Sequence, residues 1–240
     1  MDFSFFLSAF LRLLPGVPLT LQLAFVSVGL GMVLALILAL LRLSRIRPFE
    51  WIARAYIFLF RSTPLLVQIF LIYYGLSQFP TVRYSVLWPI LRQPYWCAII
   101  ALALNTAAYG SEIIRGGLRS VPEGQIEAAR ACGMSRITVF RRIVLPLAIR
   151  QALPAYGNEI ILMVKATALA SVITMMEITG LAAKLISESY RAVEVFVVAG
   201  SIYLIINYVI TRVIHLLEYW LTPHLRSVST PVVIEREDAA

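Results

Sequence analysis

The chain has 240 residues, of which 60% are hydrophobic and 14% are charged. A soluble domain is about half apolar and a quarter charged, so this composition excludes a soluble globular protein. The formal net charge is +8, and a basic chain of this kind binds either nucleic acid or an anionic surface. Because the basic residues cluster beside apolar runs, the charge needs no nucleic-acid partner.

Five apolar runs are predicted to cross the membrane as helices, since one span needs roughly 20 apolar residues. The first has no charged residue, and the second is interrupted by Pro64. Proline removes a backbone donor and disfavours helical geometry in the residue before it, so a kink is expected at Thr63. The five predicted spans are 17–41, 55–76, 95–114, 154–179 and 195–217.

These spans predict an all-α membrane protein with a single transmembrane domain, 1–225. The segment 77–94, with three prolines, is predicted to be a connecting loop. The C-terminal segment 226–240 has charged and small residues without apolar periodicity, which predicts a disordered cytoplasmic tail.

Basic residues near the ends of spans predict the orientation. The segments 42–54, 115–150 and 212–240 hold 14 of the 21 lysines and arginines. Alternation of five spans places all three segments on one side, which is therefore the cytoplasm. The N-terminus is then outside, and the C-terminus lies in the cytoplasm.

The longest hydrophilic segment, 120–146, is predicted to form two short helices separated by a glycine. Its residues also fit an amphipathic loop that lies on the inner membrane surface. Capping residues mark the helix starts, a glycine suited to left-handed geometry ends the first helix, and a proline ends the second. The starts are predicted at the Ser120–Glu123 capping box and at Ser135, and the ends at Gly133 and Pro146.

The same segment resembles a motif of ABC-importer permease subunits, E-A-A-x3-G-x9-I-x-L-P. Every fixed position of this EAA motif is matched at its spacing. The resemblance implies a coupling loop that docks on a separate ATPase. The predicted coupling residues are Glu127, Ala128, Ala129, Gly133, Arg136, Ile143, Leu145 and Pro146.

A second stretch, from Arg61 to Gln68, resembles the R-G-T-P-L-x-x-Q sequence of polar amino-acid permeases, with Ser62 in place of the usual glycine. Further segments resemble the M-type subunits of histidine and opine (octopine/nopaline) importers. The resemblance implies a heteromeric complex in the inner membrane of a bacterium, with two ATP-binding subunits, a second permease and a periplasmic solute-binding protein. The second permease is a copy or a homologue of this chain, and the M-type resemblance favours a homologue. ATP and Mg are then bound by the ATPase, because this chain has no G-x4-G-K-[ST] phosphate loop.

Polar residues inside the spans are candidates for solute binding. Asn105, Tyr109 and Glu112 recur at i, i+4 and i+7, which places them on one helical face. Lys165 and Thr167 are weaker candidates in the fourth span. Such groups also form hydrogen bonds between helices in membranes, so a role in helix packing is the alternative.

Two other charged residues, Arg61 and Glu159, lie in the second and fourth spans. A charge in hydrocarbon costs about 2.5–3.5 kcal/mol on insertion scales, so such residues face a protein interior or water. Both are near predicted cytoplasmic ends, and they are expected to form buried or interfacial ion pairs that fix helix packing.

The residues therefore predict an importer permease for polar, cationic amino acids or opines, with no cofactor of its own. A self-contained secondary transporter or channel is the alternative. An intramembrane enzyme is disfavoured, because His215 and His224 lack an H-E-x-x-H motif and no catalytic residue is apparent. Cys97 and Cys132 form no C-x-x-C motif, so no metal site is expected.

Overall fold

The computed structural model describes residues 3–44 and 46–221, and these two ranges are helical with no strand. A short helix precedes the first long one, and a broken helix follows it. The N-terminal helices are α1 (Phe3–Leu13), α2 (Gly16–Leu43), α3 (Arg47–Ser62), α4 (Leu65–Phe70), α5 (Pro80–Arg83), α6 (Trp88–Leu91) and α7 (Pro94–Arg119). A π-helical turn, Leu71–Gly75, and a 3-10 turn, Leu76–Gln78, extend α4.

The C-terminal half begins with the polar segment and ends with two apolar helices. Its helices are α8 (Glu123–Ala131), α9 (Arg136–Val139), α10 (Leu145–Ala166), α11 (Ile178–Ser189) and α12 (Ala192–Leu221). A π-helical turn joins α9 to α10, and a 3-10 segment follows α10. The predicted tail, 226–240, lies outside the described residues.

Four helical stretches of the described chain are long and apolar enough to cross a membrane, and a bent pair raises the number to five. The bent pair is α3 with the helix that begins at Leu65, and its two parts meet at 105°. The kink predicted at Thr63 is thus confirmed. The first part begins at Arg47 rather than near 55, because Pro48 suits the first turn of a helix.

The fourth span differs from the predicted range 154–179. One helical stretch runs without interruption from Arg136 to Ile173, so the prediction that Pro146 ends a helix is wrong. Pro146 lies in the first turn of α10, directly after the π-helical turn Phe140–Val144. The wider π turn tolerates the missing N–H and the ring of proline, so the helix continues.

Helices also form in segments that the sequence suggested were connections. The predicted loop 77–94 contains α5 and α6, and α11 follows the fourth span. These helices are too short or too polar to appear as spans, and the prediction used hydropathy alone.

The polar segment 120–146 has the predicted helix, glycine and helix. Gly133 has φ of 77°, and the Ser135 Oγ accepts a hydrogen bond from the Thr138 N–H at 3.3 Å, so both predictions are confirmed. The prediction of a capping box at Ser120–Glu123 is wrong. Ser120 Oγ donates to the Gly117 carbonyl, and the residue before α8 is Pro122, which has no side-chain cap.

The core of the bundle is the pair α2 and α7. Most of the apolar length of α7 is buried, whereas α12 is mainly exposed. Close approach of α2 to α7 depends on Gly31, where an added Cβ atom would lie 2.7 Å from the Thr106 Cβ and 2.9 Å from the Ala103 carbonyl oxygen. Small residues at helix contacts allow this spacing in membrane proteins. A second cluster joins α1, α11 and α12.

A larger side chain at Gly31 should separate these two helices. We expect Gly31→Leu to lower the free energy of unfolding by about 1–3 kcal/mol, the usual cost of overpacking, as measured by unfolding in mixed micelles. Gly29→Leu is the matched control, because nothing lies within 4 Å of its added Cβ atom. Equal stability of the two variants would contradict the close α2–α7 contact.

Candidate solute recess and coupling loop

A recess of about 410 Å³ opens between α2, α3 and α7. It lies at the end of the bundle where α2 finishes and where α7 leads into the coupling loop. Arg47, Arg54 and Arg61 are seven residues apart on α3 and therefore share one face of that helix. The lining residues are Arg42, Arg54, Ile57, Phe58, Arg61, Ser62, Tyr109 and Glu112.

A network of ion pairs beside the recess joins all three helices. Arg42 Nε lies 3.4 Å from Glu112 Oε1, and Arg42 Nη1 lies 3.8 Å from Glu50 Oε1. Arg115 Nε donates to Glu112 Oε2 at 3.0 Å, and Arg54 pairs with Glu50. Both oxygens of Glu112 are therefore already used by guanidinium groups of this chain.

Arg61 also lines the recess, and its contacts differ from those of the other lining arginines. Its guanidinium lies over the ring of Tyr109, 5.1 Å from the centroid. Within the described ranges, no carboxylate comes within 4.0 Å of it. It does interact electrostatically with Glu159 on α10, which is 6% exposed. Arg61 and Glu159 thus lie close to each other without forming a direct ion pair.

Asn105 has a structural partner. Its Nδ2 donates to Gln68 Oε1 at 3.2 Å. The Gln68 Nε2 in turn donates to the Phe60 carbonyl at 2.9 Å and to the Thr63 Oγ1 at 2.8 Å. These acceptors lie at the break between α3 and α4, where Pro64 interrupts the helical hydrogen bonds. The two amides therefore hold the broken helix against α7.

The five predicted solute residues do not come together in one site. Tyr109 and Glu112 line the recess, while Asn105 is buried behind it. Lys165 lines a separate cavity of about 460 Å³ between α10 and α12. Thr167 is fully buried, and its hydroxyl donates to the Val164 carbonyl.

Sequence reasoning placed Arg61 among packing residues and so missed its place in the recess. Its spacing of seven residues from Arg54 was a usable signal, because a basic stripe on a helix marks one common face. The burial of Glu159 depends on how α10 packs on α7, which periodicity does not report.

The coupling loop presents a mostly exposed surface at the same end of the bundle. Glu127 and Ala128 are exposed on α8, whereas Ala129 is buried. Ile137 is 73% exposed and Phe140 is 45% exposed. Exposed apolar side chains of this size beside charged ones are typical of a protein interaction surface.

Comparison with known proteins identifies the family. Residues 28–223 match the family described as "Binding-protein-dependent transport system inner membrane component". The chain belongs to this family. The permease is thus a multi-pass inner-membrane component of an import system and not an enzyme; ATP hydrolysis in such systems belongs to a separate subunit.

Two curated relatives are similar over most of the permease. It is 65% identical over 226 residues to an octopine transport system permease protein, OccM, of Rhizobium radiobacter. The aligned region covers 94% of this chain and 92% of the relative. It is 47% identical over 169 residues to the arginine ABC transporter permease protein ArtM of Escherichia coli K12, which covers 70% and 75%.

A solved structure shows the same fold. A chain from a crystal structure of an amino acid ABC transporter with histidines superposes with a TM-score of 0.82 at 36% identity. The match covers 92% of the permease and 99% of that chain. The predicted all-α membrane fold is therefore confirmed, and it is the fold of an ABC type I importer permease.

The described part of the permease offers no obvious metal site. No three His, Cys, Asp or Glu side chains in 3–44 and 46–221 are grouped so that they could hold a metal ion. Cys97 is buried and Cys132 is exposed, and both are free thiols.

Removal of the Gln68 amide should destabilise the folded permease at the break between α3 and α4. Gln68→Leu leaves the Asn105 amide and the Phe60 carbonyl without this partner, and each unmade buried hydrogen bond costs about 1–3 kcal/mol. We expect a clear fall in the free energy of unfolding in mixed micelles. Gln78→Leu is the control, because its side chain is exposed and donates only to the Tyr74 carbonyl. A Gln68 variant as stable as the control would contradict this role.

Proposed function

We propose that this permease imports opines or polar, cationic amino acids across the inner membrane, driven by ATP that a partner hydrolyses. The similarity to an octopine permease and to an arginine permease supports this solute class. The observation that carries the proposal is the recess, where Arg61 and Tyr109 offer a cation and a phenol to a polar solute.

In this proposal the solute binds in the recess, where it contacts Tyr109 and lies close to Glu112. Asn105 and Thr167 are buried and act through structure. Asn105 holds α3 and α4 in place through its hydrogen bond to Gln68, and Thr167 stabilises the end of α10 through its hydrogen bond to the Val164 carbonyl. Lys165 lines a second cavity, which the solute meets elsewhere on its path. A charged residue at such depth is expected to serve a transport path.

The family supports the partners of this proposal. Two ATP-binding subunits contact two permeases, this chain and a homologue, and a periplasmic solute-binding protein delivers the solute. The coupling loop, with its exposed Glu127 and Ile137, docks on one ATP-binding subunit, and that subunit holds ATP and Mg. Closure of the ATP-binding subunits moves the loop and rocks the helices, so that the recess is exposed first to one side and then to the other.

Reversal of charge at Glu127 tests the docking role. We expect Glu127→Lys to abolish ATP-driven uptake, because it places a cation in the contact surface, while insertion into the membrane stays normal. Uptake of radiolabelled octopine or L-arginine by cells is the measurement. Glu188→Lys is the control, since Glu188 is an exposed surface residue that pairs only with Arg12. Wild-type uptake by the Glu127 variant, or wild-type uptake without any ATPase, would contradict the proposal.

The proposed orientation has a direct test in the unmodified permease. Cys132 is exposed in the coupling loop and Cys97 is buried, so Cys132 is the thiol that reacts. We expect a membrane-impermeant maleimide to label inside-out vesicles and to spare intact spheroplasts. Cys132→Ala should abolish the labelling. Labelling of intact spheroplasts at Cys132 would reverse the orientation.

A further inference from the structure

The recess carries a surplus of positive charge. Four guanidinium groups meet two carboxylates here, so the net charge of the cluster is four minus two, or two positive, and it is still one positive when the carboxylate of the buried Glu159 is counted as well. A surplus of this sign repels a solute that is only cationic and attracts an anionic group. The cluster comprises Arg42, Arg54, Arg61, Arg115, Glu50 and Glu112.

The two carboxylates of this cluster are not free to bind a solute. Glu112 accepts from Arg42 through one oxygen and from Arg115 through the other. Glu50 is shared between Arg42 and Arg54. A solute cation that bound either carboxylate would have to displace a guanidinium, which already forms a charge-assisted hydrogen bond. Glu112 therefore serves as a counter-ion inside the protein.

Arg61 is the group with unused binding capacity. Its side chain is exposed to the recess, and no carboxylate of the described ranges lies within 4.0 Å. The contact with Tyr109, in which the guanidinium carbon lies 5.1 Å from the ring centroid, is a cation–π contact that needs no N–H donor. The planar guanidinium can therefore bind a carboxylate through two parallel hydrogen bonds.

We propose that Arg61 binds a free carboxylate of the transported solute, so that the recess selects solutes by that carboxylate. Tyr109 holds the guanidinium in place by stacking against it. The Arg42–Glu112–Arg115 contacts keep the positive surplus close to the binding position. This inference rests on the proposed function, and it defines the solute class more narrowly as molecules with an unmodified carboxylate rather than cations in general.

The test compares acids with their amides on the purified importer complex without its solute-binding protein, which would otherwise impose its own selectivity. The probes are octopine and L-arginine, each beside the derivative in which carboxylate is replaced by carboxamide. Equilibrium binding of the four probes is measured by calorimetry. We expect the wild-type complex to prefer an acid over its amide by about tenfold or more, the low end for a hydrogen bond to a charged group.

Arg61→Gln should remove this preference by weakening acid binding about tenfold, and it should leave amide binding unchanged. Arg61→Lys keeps the charge but not the two parallel donors, so it should retain part of the preference. Arg119→Gln is the control, because Arg119 lies at the end of α7 and is not among the residues that line the recess. A change in the acid-to-amide ratio is a readout that a purely structural role of Arg61 would not produce.

Three results would contradict these conclusions, and each result shows which conclusion is wrong. An acid-over-amide preference that persists in Arg61→Gln overturns the role of Arg61. A wild-type complex that binds acid and amide equally overturns the inference without any variant, even if Arg61→Gln fails to fold. A wild-type complex that binds none of the four probes contradicts the proposed function instead.

Discussion

The break in the helix at Pro64 is the constraint on which the site depends. Proline leaves carbonyl groups of α3 without their helical partners, and membrane-buried backbone groups must find others. The Gln68 amide supplies them, and Asn105 ties that amide to α7. With these bonds made, α3 can turn by 105° away from the helix that follows and lie along the recess.

The position of α3 then determines the electrostatics. Its arginines face α2 and α7, where Arg42 and Glu112 come from separate helices to form one network. Arg42, Arg54 and Arg115 share the two carboxylates of this network, whereas Arg61 lines the recess without a carboxylate within 4.0 Å among the described residues. An isolated helix with the same sequence would expose all of these charges to solvent and would not discriminate between solutes.

The coupling loop stands at the same end of the bundle and is mechanically continuous with the core. The π turn at Phe140–Val144 lets one helical stretch run from Arg136 into α10, which packs against α7. The second half of the loop is thus continuous with the helix that carries Glu159, whereas Gly133 separates α8 from this stretch. In the proposed function, this continuity connects the docking of an ATPase on the loop with the recess.

The sequence by itself determined the features that depend on local chemistry. Hydropathy predicted the membrane class, Pro64 predicted the kink, Gly133 and Ser135 predicted the helix end and start in the coupling loop, and the EAA motif predicted the family. Tertiary structure decided the rest, because it depends on which side chains meet across helices. Asn105 and Tyr109 share a helical face in the sequence, yet one is bound to Gln68 and the other stacks on Arg61. Helical periodicity gives the direction of a side chain and not its partner. Only the packed bundle therefore distinguishes Asn105, which holds the broken helix, from Tyr109, which lines the recess.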